Sequence, residues 1–497
     1  MFDGLDPRTP VLVGAGQLSQ RVDRGADVLE PVDLMVEALR RAETDSGATG
    51  VLARADSVRV SRELSWSYGD PGALVGERVG ASPRQTLYTV MGGNYVQSMV
   101  NLTARDIAAG RADVVLVCGA EAWRSRNAAR AEGRELAWTT QPAGTTPTVA
   151  LGDDTPLSSP FEVERGVFLP VTVYPMFEVA LRAAAGRSPD EQRQRAAALW
   201  SRFSQVAATN PEAWIQQAFT ADEIATPGPD NRMIGYPYTK LMNSNNNVEQ
   251  GAGLVLCSAE AARSMGVPTD RWVFPQSGTD AHDHWFVSNR ANLHSSAAIR
   301  LAGARALELA RVGVDDLTFV DLYSCFPSAV QIAAAELGLA IDRPLTVTGG
   351  MSFAGGPWNN YPCHAIATMA GRLRDEPGSV GLCSANGGYI TKHAFGVYAT
   401  TPPAAGYRSD DLQAQVDATP SRPAADGHVG EVTVESYTVA HARDGSPERG
   451  LFALLTPDGG RTWGSSSDAD TLVELEAAEC VGRAARLADD GRVDLLG

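Results

Sequence analysis

Short apolar strands and amphipathic helices alternate along the first four hundred or so residues of this chain, and they do so twice. In the first run, residues 11–17, 57–60, 85–90 and 114–118 read as buried strands. Residues 31–42, 73–79 and the stretch ending at Ala109 read as helices. A second run resumes at 251–260 and continues through strand 273–278, helix 290–312, strand 319–322 and helix 328–337. Alternation of this kind predicts βαβ units around mostly parallel sheets, and its recurrence predicts two pseudosymmetric halves.

Two stretches stand outside the alternation. Residues 124–247 carry frequent Pro, Gly, Trp and charge, with helices expected over 175–185 and 189–208; an insert this long predicts a helical subdomain rather than a loop. Residues 402–428, rich in Pro, Ala and Gly, read as a linker. Beyond it, short strands at 431–437, 451–455, 473–475, 482–487 and 492–496 predict a small antiparallel barrel, OB-like in size.

The formal net charge of −17 over 497 residues argues against nucleic acid or an anionic membrane as a main partner. Any anionic ligand would need a local basic site. Cys118, Cys257, Cys325, Cys363, Cys383 and Cys480 are scattered without CxxC pairs, which predicts reduced thiols in a cytoplasm. The first residues lack the basic and apolar regions of a signal peptide, so none is expected, and no run approaches eighteen apolar residues, so no membrane span is expected. Gly14 and Gly16 lack the third glycine of a dinucleotide loop, and His282-Asp283-His284 lacks the further ligands of a metal site, so no cofactor or metal is expected.

Function is concentrated in three later stretches. Residues 346–367 form a Gly-rich loop between an apolar run and a helix; residues 317–327 form a buried strand ending in polar residues; residues 379–397 read as strand, Cys-containing turn and strand. In chain order the three loops resemble the C-terminal half of the thiolase superfamily. There they read Asn-Glu-Ala-Phe (His-Asp-Cys-Phe in the sterol-carrier-protein type), Gly-His-Pro and Cys-x-Gly. Here they read Tyr323-Ser324-Cys325-Phe326, Gly355-Gly356-Pro357 and Cys383-Ser384-Ala385. The resemblance reaches bacterial thiolase-like proteins with an additional C-terminal domain, usually labelled acetyl-CoA acetyltransferases.

The resemblance implies an α/β thiolase fold: two βαβαβαββ halves in five αβαβα layers, with a helical loop-domain insert. It places residues 1–123 and 251–284 in the N-terminal half, 124–250 in the loop domain, 285–403 in the C-terminal half and 429–497 in the added β domain. It also implies a homodimer, with a monomer as the alternative, and a CoA thioester as substrate or ligand. Ser244, Asn246 and Asn247, at the exit from the loop domain, are the expected contacts to that ligand.

Family chemistry uses a nucleophilic Cys at a helix N-terminus, a Gly-His-Pro histidine, an Asn or His that orients an oxyanion-hole water, and a proton-moving Cys. Matched residue by residue, these become Gly93, Gly356, Tyr323 and Cys383. Only Cys383 keeps its type, so ordinary thiolase turnover is not expected. Backbone N–H groups at Gly93 and Ala385 correspond to one oxyanion hole and need no side chain. Tyr323, Asn359, Asn360, Tyr361, His364 and Asn386 are the candidates to supply new chemistry around Cys383. Two functions follow: an acyl-CoA enzyme acting through Cys383, or a catalytically inactive protein that holds a thioester or a partner.

Overall fold

The computed structural model describes residues 2, 4–21 and 28–496. Its first sheet runs in the order Pro10–Ser19, Glu249–Ser258, Val114–Ala122, Ser57–Val60, Gln85–Thr89, Val149–Leu151. The last four strands are parallel, and Glu249–Ser258 is antiparallel to both of its neighbours. The second sheet runs Phe319–Asp321, Val380–Gly387, Lys392–Ala399, Phe274–His282, Arg408–Asp411, with parallel ladders at its edges and antiparallel ones between.

Helices Tyr95–Ala108 and Tyr361–Asp375 fill the space between the sheets, where Met99, Ile107, Val115, Leu254, Met369 and Tyr398 form one core. Pro31–Ser46 covers the outer face of the first sheet; Ala297–Ala310 and Pro327–Leu337 cover that of the second. The five expected layers are therefore present. Gly14 and Gly16 serve this stacking. A β-carbon built on Gly16 would lie 2.5 Å from the Ala42 nitrogen, and one on Gly14 3.0 Å from the Ala42 carbonyl carbon, so helix Pro31–Ser46 rests directly on backbone.

Several elements depart from the sequence reading. Strand Phe274–His282, assigned by sequence to the first half, lies in the second sheet. The helix expected from residue 290 starts at Ala297, where the Ser296 hydroxyl accepts from the Ile299 N–H and caps it. The stretch read as a linker supplies edge strand Arg408–Asp411 and helix Gln413–Asp417. Residues 473–475 are helical, within Ala469–Ala477, and Arg461–Ser466 is a strand that the sequence reading missed.

The C-terminal sheet is antiparallel, in the order Arg461–Ser466, Pro447–Leu455, Gly430–His441, Ala484–Leu487, Val493–Leu495. Its two edges touch at a single bridge, Ser465 to Arg492, and no continuous ladder closes it into the expected barrel. It is tied into the rest of the protein. Gly235, in a short strand of the insert, bridges to Ala440, and the Ser436 hydroxyl donates to the Met176 carbonyl at 2.5 Å. Fully buried Arg461 makes two bonds to the Glu435 carboxylate and donates to the carbonyls of Val287 and Arg290.

Candidate ligand-binding site

Four loops meet over the inter-sheet helices and enclose a cavity of about 460 Å³. Met91 to Gly93 precede helix Tyr95–Ala108, and Tyr323 to Phe326 follow strand Phe319–Asp321. Met351, Trp358 and Asn359 come from the Gly-rich stretch, Asn386 and Gly387 from the end of strand Val380–Gly387, and Gly388 and Tyr389 from the turn after it. The insert closes the top with Phe168 to Val171, Tyr174, Asn243, Ser244 and Asn246. No Asp, Glu, Lys, Arg or His is among the lining residues.

The expected nucleophile position is sterically filled. A β-carbon built on Gly93 would lie 2.5 Å from the Asn386 carbonyl oxygen and 2.9 Å from Tyr323 Cζ, with the Tyr323 hydroxyl closer still. The histidine position is filled as well. A β-carbon on Gly356 would meet Asn246 Oδ1 at 2.7 Å and press on the Ser244 hydroxyl, which itself donates to Asn246 Oδ1 at 2.7 Å. Neither place has room for a reactive side chain unless its neighbours move.

Tyr323 is held by its own N–H, which donates to Ser384 Oγ at 2.9 Å, and by an edge-on contact with the Tyr361 ring. Burial keeps its phenol protonated, with a pKa well above the ordinary value. Asn359 Oδ1 accepts from the Gly92 N–H at 3.0 Å, and its amide donates to the Arg62 carbonyl, so Asn359 fixes the loop before Gly93.

Other expected site residues lie elsewhere. Cys383 is in the interior of a strand, opposite Gly396 and Asp321, 1% exposed, and burial drives its thiol well above the usual pKa. It does not line the cavity, and it is not in a turn as the sequence suggested. Ala385 faces a small neighbouring void rather than the cavity. His364 points into another small void beside Gln17, where burial alone lowers its pKa to about 3 and keeps it neutral. Asn360 bonds the Gly119 carbonyl and the Ser61 hydroxyl, a staple between the halves. Asn247 is exposed and accepts from Asn127.

The sequence missed Trp358, Tyr174, Asn243 and the cavity-facing thiol of Cys325. Cys325 lies in the cavity wall 3.8 Å from Asn386 Nδ2, and burial pushes its pKa up to about 12, so it stays a thiol. Trp358 holds a left-handed backbone, φ +46°, rare for a bulky residue. Three buried polar atoms of cavity-lining residues have no hydrogen-bond partner among the described residues: Asn243 Oδ1, Asn386 Oδ1 and Trp358 Nε1.

Residues 411–492 match the family model of the thiolase-like protein type 1 additional C-terminal domain. Over 99% of its length the chain superposes on all of a monomeric SCP2-thiolase-like protein type 1 from Mycobacterium smegmatis, with 32% identity and a TM-score of 0.84. The chain belongs to the SCP2-thiolase-like protein type 1 family. This thiolase-like protein also matches an acetyl-CoA acetyltransferase from Methanothermobacter thermautotrophicus, 22% identical over 70% of this chain and 86% of that protein. The Acat5 thiolase from Ascaris suum, solved in complex with coenzyme A, shares the fold at 15% identity, a TM-score of 0.56, and coverage of 79% of this chain and 99% of its own.

Proposed function

We propose that this protein binds an acyl thioester, of CoA or a related carrier, in the cavity beside Gly93 and does not process it by Cys-based thiolase chemistry. The observation that carries this reading is the filling of the nucleophile volume by Tyr323 and the Asn386 carbonyl. The pantetheine arm of CoA or a related carrier would bring amide N–H groups to the unpartnered Asn243 and Asn386 oxygens, and the thioester would bring a carbonyl to the Trp358 indole. Since no charged side chain lines the cavity, the acyl and amide-bearing part belongs inside and the phosphates belong outside, in solvent.

The reading places the protein in acyl-chain, and hence lipid, metabolism as a holder of activated chains. Its six cysteines are all unpaired, in keeping with a reducing compartment. The M. smegmatis relative is described as monomeric, and we assign the same state to this chain. Two assays test the function together. Octanoyl-CoA should raise the thermal midpoint, while acetoacetyl-CoA plus CoA should yield no thiolytic product. Thiolysis, or no stabilisation by any acyl-CoA, overturns the reading.

A further inference from the structure

Of the 42 basic residues in the chain, only two are lysines, Lys240 and Lys392. Lys240 is exposed; Lys392 is 3% exposed and sits at the start of strand Lys392–Ala399. Its side chain runs between two glycines that both line the cavity. A β-carbon on Gly387 would be 3.0 Å from Lys392 Cε, and one on Gly92 would be 2.8 Å from Nζ. Missing side chains at 92 and 387 are what let the amine approach the cavity wall.

The amine is held there without an ion pair among the described residues. Nζ donates to the Met91 carbonyl at 2.6 Å and lies over the rings of Tyr95 (4.8 Å) and Trp285 (5.5 Å). No carboxylate of the described residues is within ion-pairing distance. Asn94 Oδ1, buried and unpartnered, abuts the same two glycines. Burial lowers the pKa of Lys392 to about 8, against the opposing pull of Asp153 and Asp154; the other titratable groups facing it are Tyr95 and, across the ladder, His282. Arginine could not lose its proton in this place, and lysine can.

We propose that Lys392, whose amine lies directly behind the cavity wall at Gly92 and Gly387, accepts the acyl group of a thioester bound in the cavity. The Nζ lone pair attacks the thioester carbonyl carbon; the N–C bond forms, the C–S bond breaks, its electron pair leaves on sulfur, and the proton shed by Nζ ends on that sulfur. The products are an N-acyl-lysine and a free thiol. The inference rests on the reading that the cavity takes up acyl thioesters, and its test separates the two.

Native protein is incubated with octanoyl-CoA across pH 6.5–10 (a range chosen to bracket free and buried lysines), and peptides bearing Lys392 and Lys240 are quantified by mass spectrometry. In parallel, thermal shifts are measured with S-octyl-CoA, a thioether that binds but cannot acylate. The expected result is acylation of Lys392 at least about tenfold faster than of exposed Lys240, half-maximal near pH 8, together with a shift from the thioether. A thioether shift with Lys392 no faster than Lys240 overturns the inference and leaves the binding reading standing. Neither shift nor acylation overturns both.

Discussion

Gly93→Ala is the smallest test of whether the nucleophile volume is filled. The added methyl would sit 2.5 Å from a backbone carbonyl oxygen and 2.9 Å from Tyr323 Cζ, both inside contact distance. The Asn386 carbonyl, on a strand residue paired with His393, cannot step aside as a flexible side chain would. Overpacking of this kind costs about 1–3 kcal/mol. Since Tyr323 supplies part of the clash, Tyr323→Leu should recover some of the loss, a coupling of about 0.5–2 kcal/mol in a double-mutant cycle. Urea unfolding followed by tryptophan fluorescence measures all four proteins. If Gly93→Ala unfolds at the wild-type midpoint, the volume is open and the steric case against a nucleophile at residue 93 fails.

Three further outcomes follow from the site and its surroundings. Cys383→Ala should leave acyl-CoA affinity within about twofold by calorimetry, because the thiol does not reach the cavity, while losing about 1–2 kcal/mol of stability as a buried side chain is trimmed. Arg461→Ala strips the partner from Glu435 and from three carbonyls, and should cost about 3–5 kcal/mol, seen as early melting of the C-terminal sheet by hydrogen exchange. Glu63 is buried with only the Tyr88 hydroxyl on one oxygen, and burial raises its pKa to about 8; Glu121 beside it is raised to about 7. An acid with a raised folded pKa gives stability that is complete below its unfolded pKa, near 4.5, and is lost as pH climbs through 8. Glu63→Gln should therefore flatten the decline in thermal midpoint between pH 5 and pH 8, and an unchanged slope would refute the assignment.

The architecture was legible because period and length carry it. Buried strands such as 57–60 and 114–118, and the amphipathic helix from Pro31, follow directly from side-chain alternation. The site was only half legible. Gly93, Tyr323, Ser244 and Asn246 do converge, since a motif frame gives the loop ends. Cys383 was placed by residue type at a position where a strand still runs, so the thiol points into the inter-sheet core rather than the cavity. Residue type could not show that Tyr323 reaches into the space opposite Gly93. Nor could it show Lys392 threading between Gly92 and Gly387, which are separated by about three hundred residues and meet only through tertiary packing. The misread 402–428 segment has the same origin: its Pro and Gly are real turns, but edge strand Arg408–Asp411 gains its order from Phe274–His282.

Helix Pro170–Ala184 touches two things at once. Tyr174 on it roofs the cavity, while Met176 and Arg182, within the next turns, grip Ser436 and Tyr437 of the C-terminal sheet and Glu479 in the loop before strand Ala484–Leu487. The appended sheet is thus the anchor of the roof. A truncation after residue 428 would remove Ser436, Tyr437 and Glu479 from that helix and leave the pocket without a fixed ceiling.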